Sequence, residues 1–397
     1  MSVVLITGAF GFVGTNLSTY LSERGYEVWA LDVGAENPKA LKCKGAEAEN
    51  NSLQKTESTQ QRAYVRRYTW EQLDQICWSE IDAVVHLAGK AHDTRNTSDP
   101  RSYFAVNVGL TEKILGSFMR YCECKAGGEP TSSGQKPKGG LAHERKNSRA
   151  NRIPKLIFFS SVKAVADQIE GVLTEETVPD PKTPYGQSKL EAEKVVISSF
   201  VRYAERGAAG EATSNGQRPE GVGSTTHERK NSQPNEFHYF ILRPCMIHGP
   251  CNKGNLNSLY GMARRGIPWP LGSFENRRSF ASIENVCAVV DGLLSGGGAS
   301  GVYQVADDET ISTNELIRLM SEAAGLRAKI WRLPPNVVRA VAWIGDLLCL
   351  PLNSERLKKL TESYVASNAK IKAVLGWDRM PVRAKDGMRK TLESFKE

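Results

Sequence analysis

The sequence predicts a doubly wound α/β fold: a parallel sheet with helices on both faces, followed by a smaller C-terminal substrate-binding lobe. Three observations carry this expectation. The chain opens with VVLITGAFGFVGTNL, an apolar strand that runs into Gly8, Gly11 and Gly14 and then into helix-forming residues. Short apolar runs at 27–32, 81–89, 155–161 and 237–244 alternate with helical patterns, the rhythm of βαβ units. After residue 245 the character changes to Gly- and Pro-containing loops between short apolar segments. A chain of 397 residues can bury a large core and form two domains or subdomains.

Each element follows from its residues. Residues 3–6 form the first strand, 8–14 the turn and 13–24 a helix; EVWALD at 27–32 is the second strand. Together these open a Rossmann-type domain. The stretch 35–61 is polar and lacks periodicity, so it reads as a loop. AYVRR at 63–67 reads as a short strand, WEQLDQIC at 70–77 as a helix, 81–89 as a buried strand and 104–124 as a helix. Strands are expected at 155–161 and 237–244. Polar insertions near 125–152 and 206–235 share related sequences: TSSGQKPKG at 131–139 resembles TSNGQRPEG at 213–221, and HERKNS occurs at 143–148 and 227–232. Each falls between a helix and the next strand, on the sheet edge away from the ligand crevice. Solvated insertion is the simplest account, with protein contact the alternative. The expected organisation is a dinucleotide-binding domain over 1–244 and a lobe over 245–397, part of which returns to the first domain near 280–295. Within the lobe, 311–325 follows a Ser/Thr start into a helical pattern.

Bulk properties exclude several classes. The formal net charge is +8, but the basic residues sit in short hydrophilic tracts with no basic helix or zinc module. Nucleic acid is therefore not an expected partner, and an anionic small substrate fits as well. The eight cysteines are scattered, and Cys122 and Cys124 are too close for a CxxC site, so no metal is expected. No apolar run is long enough to span a membrane. NVVRAVAWIGDLLCL at 336–350 comes nearest, but Arg339 and Asp346 interrupt it, and it reads as an amphipathic helix with a membrane-surface role as the lesser reading. The N-terminus has no signal-peptide pattern, and a cytoplasmic enzyme is expected.

The glycines point to a dinucleotide. Gly8 permits a tight turn, Gly11 a close approach to a pyrophosphate, and Gly14 close helix–sheet packing. Phe12 and Val13, at the helix start, complete this set, and the helix directs its first amides at the phosphates. Asp32 ends the second strand, where a carboxylate can accept bonds from both ribose hydroxyls and repel a 2′-phosphate. No arginine follows it immediately, which favours NAD over NADP. In HLAGKAHD at 86–93, Leu87, Ala88 and Gly89 would let the cofactor lie along the backbone, while Lys90 and His92 are substrate-side candidates. His86 reads equally as a buried, hydrogen-bonded residue or as a ligand contact.

Tyr185 and Lys189 are four residues apart and share one helix face. An ammonium beside a phenol favours the phenolate, which otherwise forms only near pH 10. Ser161 ends a strand at the carboxyl edge and can bond a substrate oxygen as alcohol becomes ketone. Ser160 is the alternative, but adjacent strand residues face opposite ways. The trio suits proton transfer coupled to hydride transfer.

TGAFGFVG at 7–14, HLAG at 86–89, NVGLTEKIL at 107–115, FFSSVKAV at 158–165, PYGQSK at 184–189, ILRPCMIHGP at 241–250 and RRSFASIENV at 277–286 together resemble the extended short-chain dehydrogenase/reductase family. The likeness is strongest to its nucleotide-sugar epimerase/dehydratase branch, of the UDP-glucose 4-epimerase kind. The resemblance implies Ser161 as the substrate-orienting hydroxyl, Tyr185 as acid/base, Lys189 as its partner, and Asn107 as a support for site geometry and the cofactor. It also implies a nucleoside-diphosphate sugar, with Lys253, Asn255 and Arg278 as candidate contacts and Arg277 as the alternative to Arg278; Lys90 and Lys163 are added to these substrate-side candidates from their own positions. A homodimer is compatible with this reading. Dehydratases of the branch carry Asp and Glu after the catalytic hydroxyl; here Val162 and Lys163 stand there, which disfavours water elimination. Val165 and Ala166 also depart from the usual aromatic and glycine. Lys163 would either approach the anionic substrate or solvate a loop edge. The expected function is an NAD-dependent 4-epimerase of a UDP-hexose or UDP-N-acetylhexosamine. The alternatives are a nucleotide-sugar 4-keto reductase, a non-sugar dehydrogenase and a non-catalytic dinucleotide sensor.

Overall fold

A computed structural model describes residues 2–34, 64–90, 99–125, 154–214, 237–250, 252, 255–348 and 353–396. The loop expected at 35–61 lies outside these residues, as do the HERKNS copies and most of the polar insertions. The central sheet contains β1 (Val3–Thr7), β2 (Glu27–Asp32), β3 (Arg66–Thr69), β4 (Ala83–His86), β5 (Lys155–Phe159), β7 (His238–Pro244) and β10 (Gly301–Val305). All seven are parallel, in the order β10-β7-β5-β4-β1-β2-β3. β1 therefore lies where the winding reverses, and the crevice between its carboxyl end and that of β4 is the place for a ligand. Short β6 (Val172–Leu173), β8 (Met246–His248), β9 (Phe280–Ser282) and β11 (Val365–Ala366) pair as β6 with β11 and β8 with β9.

The helices are α1 (Phe12–Glu23), α2 (Pro100–Lys125), α3 (Pro184–Ser214), α4 (Asn255–Ala263), α5 (Ile283–Ser295), α6 (Thr313–Ala323), α7 (Pro335–Leu347), α8 (Ser354–Thr361), α9 (Ala369–Leu375) and α10 (Ala384–Glu393). Strands β1 and β2 are apolar on both faces, as a sheet covered on both sides requires. One face packs Val4, Ile6 and Val28 with Leu17 and Leu21 of α1 and Val286 and Val290 of α5. The other packs Leu5, Trp29 and Phe158 with Ile114 and Phe118 of α2 and Val196 of α3. A third cluster joins Leu256 and Tyr260 of α4, Met320 of α6, Val338 and Ala342 of α7 and Met388 of α10.

Some boundaries differ from the sequence reading. WEQLDQIC forms a short 3-10 segment, Trp70–Gln75, opened by a reciprocal cap between Thr69 and Gln72. The run 81–89 leaves the sheet after His86, where the glycine turn crosses it. The run 155–161 leaves after Phe159, because Ser161 caps a 3-10 turn, Val162–Ala164. Helix α2 begins at Pro100 rather than 104: Asp99 Oδ1 accepts the Arg101 amide at 3.1 Å, and proline suits a first helical position.

Candidate active site

The glycine turn is shaped by what crosses it. Gly8 has φ 67°, and a Cβ there would lie 2.8 Å from the Ala88 nitrogen. A Cβ on Gly14 would meet the Gly8 carbonyl oxygen at 2.3 Å. Any side chain at either position would push α1 away from β1 and β4. Gly11, the residue preceding α1, provides no side-chain cap, so the first amides of Phe12, Val13 and Gly14 face the crevice without a competing side-chain acceptor from that position. Asp32 sits at the end of β2; its Oδ2 accepts the Phe10 amide at 2.8 Å and its Oδ1 the Val33 amide at 2.7 Å. These bonds hold the carboxylate at the mouth of the turn. A cradle that a Cβ would fill, open helix amides and a fixed carboxylate together suit a dinucleotide.

His86 takes the buried role. Thr111 Oγ1 donates to the Asn107 carbonyl at 2.6 Å, so it accepts from His86 Nε2 at 3.0 Å. His86 Nδ1 then accepts from Thr7 Oγ1 at 2.6 Å, and Thr7 in turn accepts the Ala88 amide at 3.1 Å. Every proton in this chain points one way, which requires the neutral Nε2–H tautomer. Burial, with the charge of Lys189 nearby, pushes the imidazole down to about 3 and keeps it neutral. Asn107 is also buried. Its Oδ1 accepts the Lys90 amide at 2.7 Å, and its Nδ2 donates to Ser188 Oγ at 2.9 Å. Asn107 thus joins the Leu87–Lys90 segment to α3.

Tyr185, Lys189 and Glu193 form one stripe along α3, facing the end of β5. Burial raises the Tyr185 phenol above its usual value, and a hydrogen bond with Ser161 draws it back down. Tyr103 of α2 packs edge-on against the Tyr185 ring at 6.1 Å. Lys189 Nζ donates to the Phe159 carbonyl at 2.9 Å, so the bond that favours phenolate comes from Ser161. A Cβ on Gly89 would lie 3.2 Å from Lys189 Nζ and 2.8 Å from Asn107 Oδ1, which places all three at one point beside the glycine turn. The two serines separate as the pleat predicts: Ser160 turns inward and donates to Glu193, while Ser161 is half-buried at the Tyr185 side. Glu193 is buried against Arg243 of β7, with Nε–Oε1 at 2.9 Å and Nη2–Oε2 at 2.5 Å.

Gly186 was not singled out by its sequence context. A Cβ there would meet the Lys163 carbonyl oxygen at 2.3 Å, so the start of α3 presses directly on the turn that carries Ser161. Tyr364 was also missed. Its hydroxyl lies 2.8 Å from the Ala166 carbonyl and 3.1 Å from that of Val162, and donates to this pair from the far side of the same turn.

The substrate-side candidates divide. Lys163 Nζ donates to the Asp167 carbonyl at 2.6 Å and lies 4.3 Å over the Tyr364 ring. Burial lowers its pKa, and Arg278 adds to that effect, so the two cations are neighbours. Arg278 is half-buried with Nη1 donating to the Lys359 carbonyl at 3.2 Å, whereas Arg277 is exposed and bonds Thr310. Lys90 Nζ is drawn to Ser102 Oγ at 2.6 Å and sits 5.0 Å over the Tyr103 ring. Asn255 begins α4. Lys253 and His92 lie outside the described residues. Cys122, Cys245 and Cys287 are buried thiols, and no group of metal-ligating side chains occurs among the described residues.

Lys189 gives the site a pH dependence. Burial pushes its ammonium down to about 8, while the field of Glu193 holds it up against that trend. A lysine depressed from 10.5 loses its charge as pH rises through the folded value. For stability, the cost of burying the cation is complete below about 8 and fades between there and 10.5. For turnover, kcat/KM should fall on an alkaline limb near pH 8. In Lys189→Arg the charge persists, so that limb should move upward whatever the absolute rate. An unmoved limb would assign it to another group.

Residues 4–212 match the model of the NAD dependent epimerase/dehydratase family. The chain is 26% identical over 264 residues to UDP-glucose 4-epimerase of Vibrio cholerae, covering 64% of this chain and 67% of that protein. It is 23% identical over 350 residues to GDP-6-deoxy-D-mannose reductase of Pseudomonas aeruginosa, covering 85% of each. The structure of UDP-glucuronic acid 4-epimerase from Bacillus cereus in complex with NAD superposes with a TM-score of 0.60 at 18% identity, over 99% of this chain and 98% of that one. At that identity the likeness is one of fold.

Proposed function

Because the chain belongs to the NAD dependent epimerase/dehydratase family, we propose that it inverts C4 of a nucleotide sugar, a UDP-hexose or UDP-N-acetylhexosamine. The observation that carries this reading is the hydrogen-bonded Ser161–Tyr185 pair beside buried Lys189, at the carboxyl edge of the sheet and next to the glycine cradle. Bound there, NAD would supply the hydride acceptor and donor for C4. Gly8, Gly11 and Gly14 would admit the pyrophosphate, the amides of Phe12 and Val13 would face it, and Asp32 would accept from the adenosine ribose. Leu87, Ala88 and Gly89 would border the nicotinamide side.

Ser161 Oγ orients the C4 oxygen. Tyr185 Oη takes the proton of the C4 hydroxyl as the carbonyl forms, and returns it after the keto sugar has turned over. Lys189 supplies positive charge below the reacting groups. Lys163 and Arg278 bring two cations together, and Glu362 is the acidic group whose field favours the charge of both. Asp167 also acts on Lys163, and the two cations offer a diphosphate charge-assisted hydrogen bonds rather than a bare positive field. Val162 is buried and Lys163 is tied to Asp167, so neither position offers the acid that water elimination needs.

A second reading has its own support, because a reductase is similar over most of the chain. In a 4-keto reductase the same groups deliver one proton, and a reduced dinucleotide is consumed. Incubation with UDP-hexoses and UDP-N-acetylhexosamines, with C4 isomers resolved, separates the two. Isomer exchange without added reductant is the expected result. Product formed only from a 4-keto sugar, with one NADH oxidised per turnover, would replace epimerisation with reduction.

A further inference from the structure

Helix α7 is apolar on the side that faces water. Its inward residues are Val338, Ala342 and Gly345, which pack toward the cluster that includes Leu256 and Tyr260 of α4. At 3.6 residues per turn, the residues from Trp343 through Leu347, Ile344, Val337 and Leu348 to Val341 cover an outward arc of roughly 160°. All six are exposed, Trp343 at 65% and Leu347 at 73%. The segment before the helix carries a further exposed ring, Trp331, at 56% exposure. Trp331 is held rigidly: its amide donates to the Trp269 carbonyl at 2.8 Å, and its carbonyl accepts the Gly272 amide at 2.9 Å. The ring is therefore presented by an ordered backbone. A soluble monomer rarely leaves such a contiguous apolar face open.

The charge around the patch selects its occupant. Between Glu322 and Asp346 the sequence has Arg327, Lys329, Arg332 and Arg339 and no acidic residue. All four are exposed. Of the nearby acids, Asp346 accepts the Ser354 amide at 3.0 Å and Glu355 pairs with Lys359 at 2.5 Å, while exposed Glu322 stands at the far end of the basic run. A second copy meeting this face about a two-fold axis would set these basic residues against themselves. An anionic lipid surface instead offers hydrocarbon to the apolar arc, phosphates to the arginines, and the interfacial zone where tryptophan rings accumulate.

We propose that the exposed face of α7, with Trp331 and the flanking arginines, docks the substrate-binding lobe on the surface of an anionic phospholipid bilayer, lying in the interface without crossing it. This inference stands apart from the choice of substrate. It is consistent with the finding that no described helix is long and apolar enough to cross a membrane.

The test is flotation of the full chain, loaded with NAD, with vesicles of equimolar phosphatidylcholine and phosphatidylglycerol and with vesicles of phosphatidylcholine alone. Binding is expected to the anionic vesicles, weaker to the neutral ones, and reduced by salt. Trp343→Glu with Leu347→Glu should lower the partition at least about tenfold. Both side chains are exposed, so these variants should keep their circular dichroism and their turnover of a soluble nucleotide sugar. Arg327→Gln with Arg332→Gln should remove most of the preference for anionic vesicles. Absence of vesicle binding, or binding that the glutamates leave unchanged, would overturn the proposal. So would equal binding to both vesicle types. A dimer in sedimentation that the glutamates dissociate, without vesicle binding, would make the face a self-association surface instead.

Discussion

Replacing Tyr185 by Phe should lower kcat about 10²- to 10⁴-fold, the range for a lost acid/base group, with NAD binding retained. The phenyl ring keeps the edge-on contact with Tyr103 and loses only the hydroxyl that bonds Ser161. The checks are turnover of the active nucleotide sugar and a separate NAD titration. Turnover within about threefold of the parent would remove Tyr185 from its role. Loss of NAD binding in step with activity would mean that the hydroxyl is needed to hold the cofactor rather than to move a proton.

The second large effect lies beneath the site. Arg243→Met should reduce unfolding free energy by about 3–5 kcal/mol, because it leaves a buried carboxylate without its bidentate partner. Glu193 would retain the Ser160 hydroxyl and the more distant field of Lys189. Removing both charges as Arg243→Met with Glu193→Met should restore most of that loss, since paired apolar groups avoid the desolvation cost. Urea unfolding of the parent, both single variants and the double variant measures this. A cost below about 1 kcal/mol for Arg243→Met would show that the carboxylate finds another partner. The pair also has a positional consequence: it clamps the Tyr185–Lys189–Glu193 stripe of α3 onto β7 while Ser160 holds the end of β5. A loss of turnover in the double variant that exceeds its loss of stability would measure that clamp.

What could be read from the sequence is what depends on local pattern. Strand β1, the glycine turn, α1 and β2 follow from apolar runs, Gly spacing and the terminal Asp32. The same reasoning set Ser161 apart from Ser160, because adjacent strand residues face opposite ways. What was missed depends on approaches between distant segments. Nothing near Gly186 in sequence announces that the Lys163 carbonyl will press on it. Tyr364 lies about two hundred residues from the turn it supports. Lys90 was marked as a substrate-side residue and Lys163 as either a substrate contact or a residue solvating a loop edge; the partners they take, Ser102 for one and Asp167 with the Tyr364 ring for the other, are supplied only by the folded chain. The pairing of Glu193 with Arg243 was equally hidden, although the stripe of residues four apart on α3 already contained one half of it.

Strand β10 carries a final consequence. It pairs with β7 along five residues from Gly301 to Val305, and α5, just before it in sequence, covers the same sheet face as α1. The polypeptide thus leaves the sheet after β7, enters the lobe, comes back to close the sheet edge, and departs again. A fragment that stopped at residue 244 would expose the β7 edge, lose the apolar cover of α5, and be prone to associate through the open strand. Proteolytic nicking between β9 and α6 should likewise leave the two pieces held together, because each contributes strands or helices to the other's packing. The two parts should therefore melt as one cooperative unit, and neither is a module that could be excised and grafted.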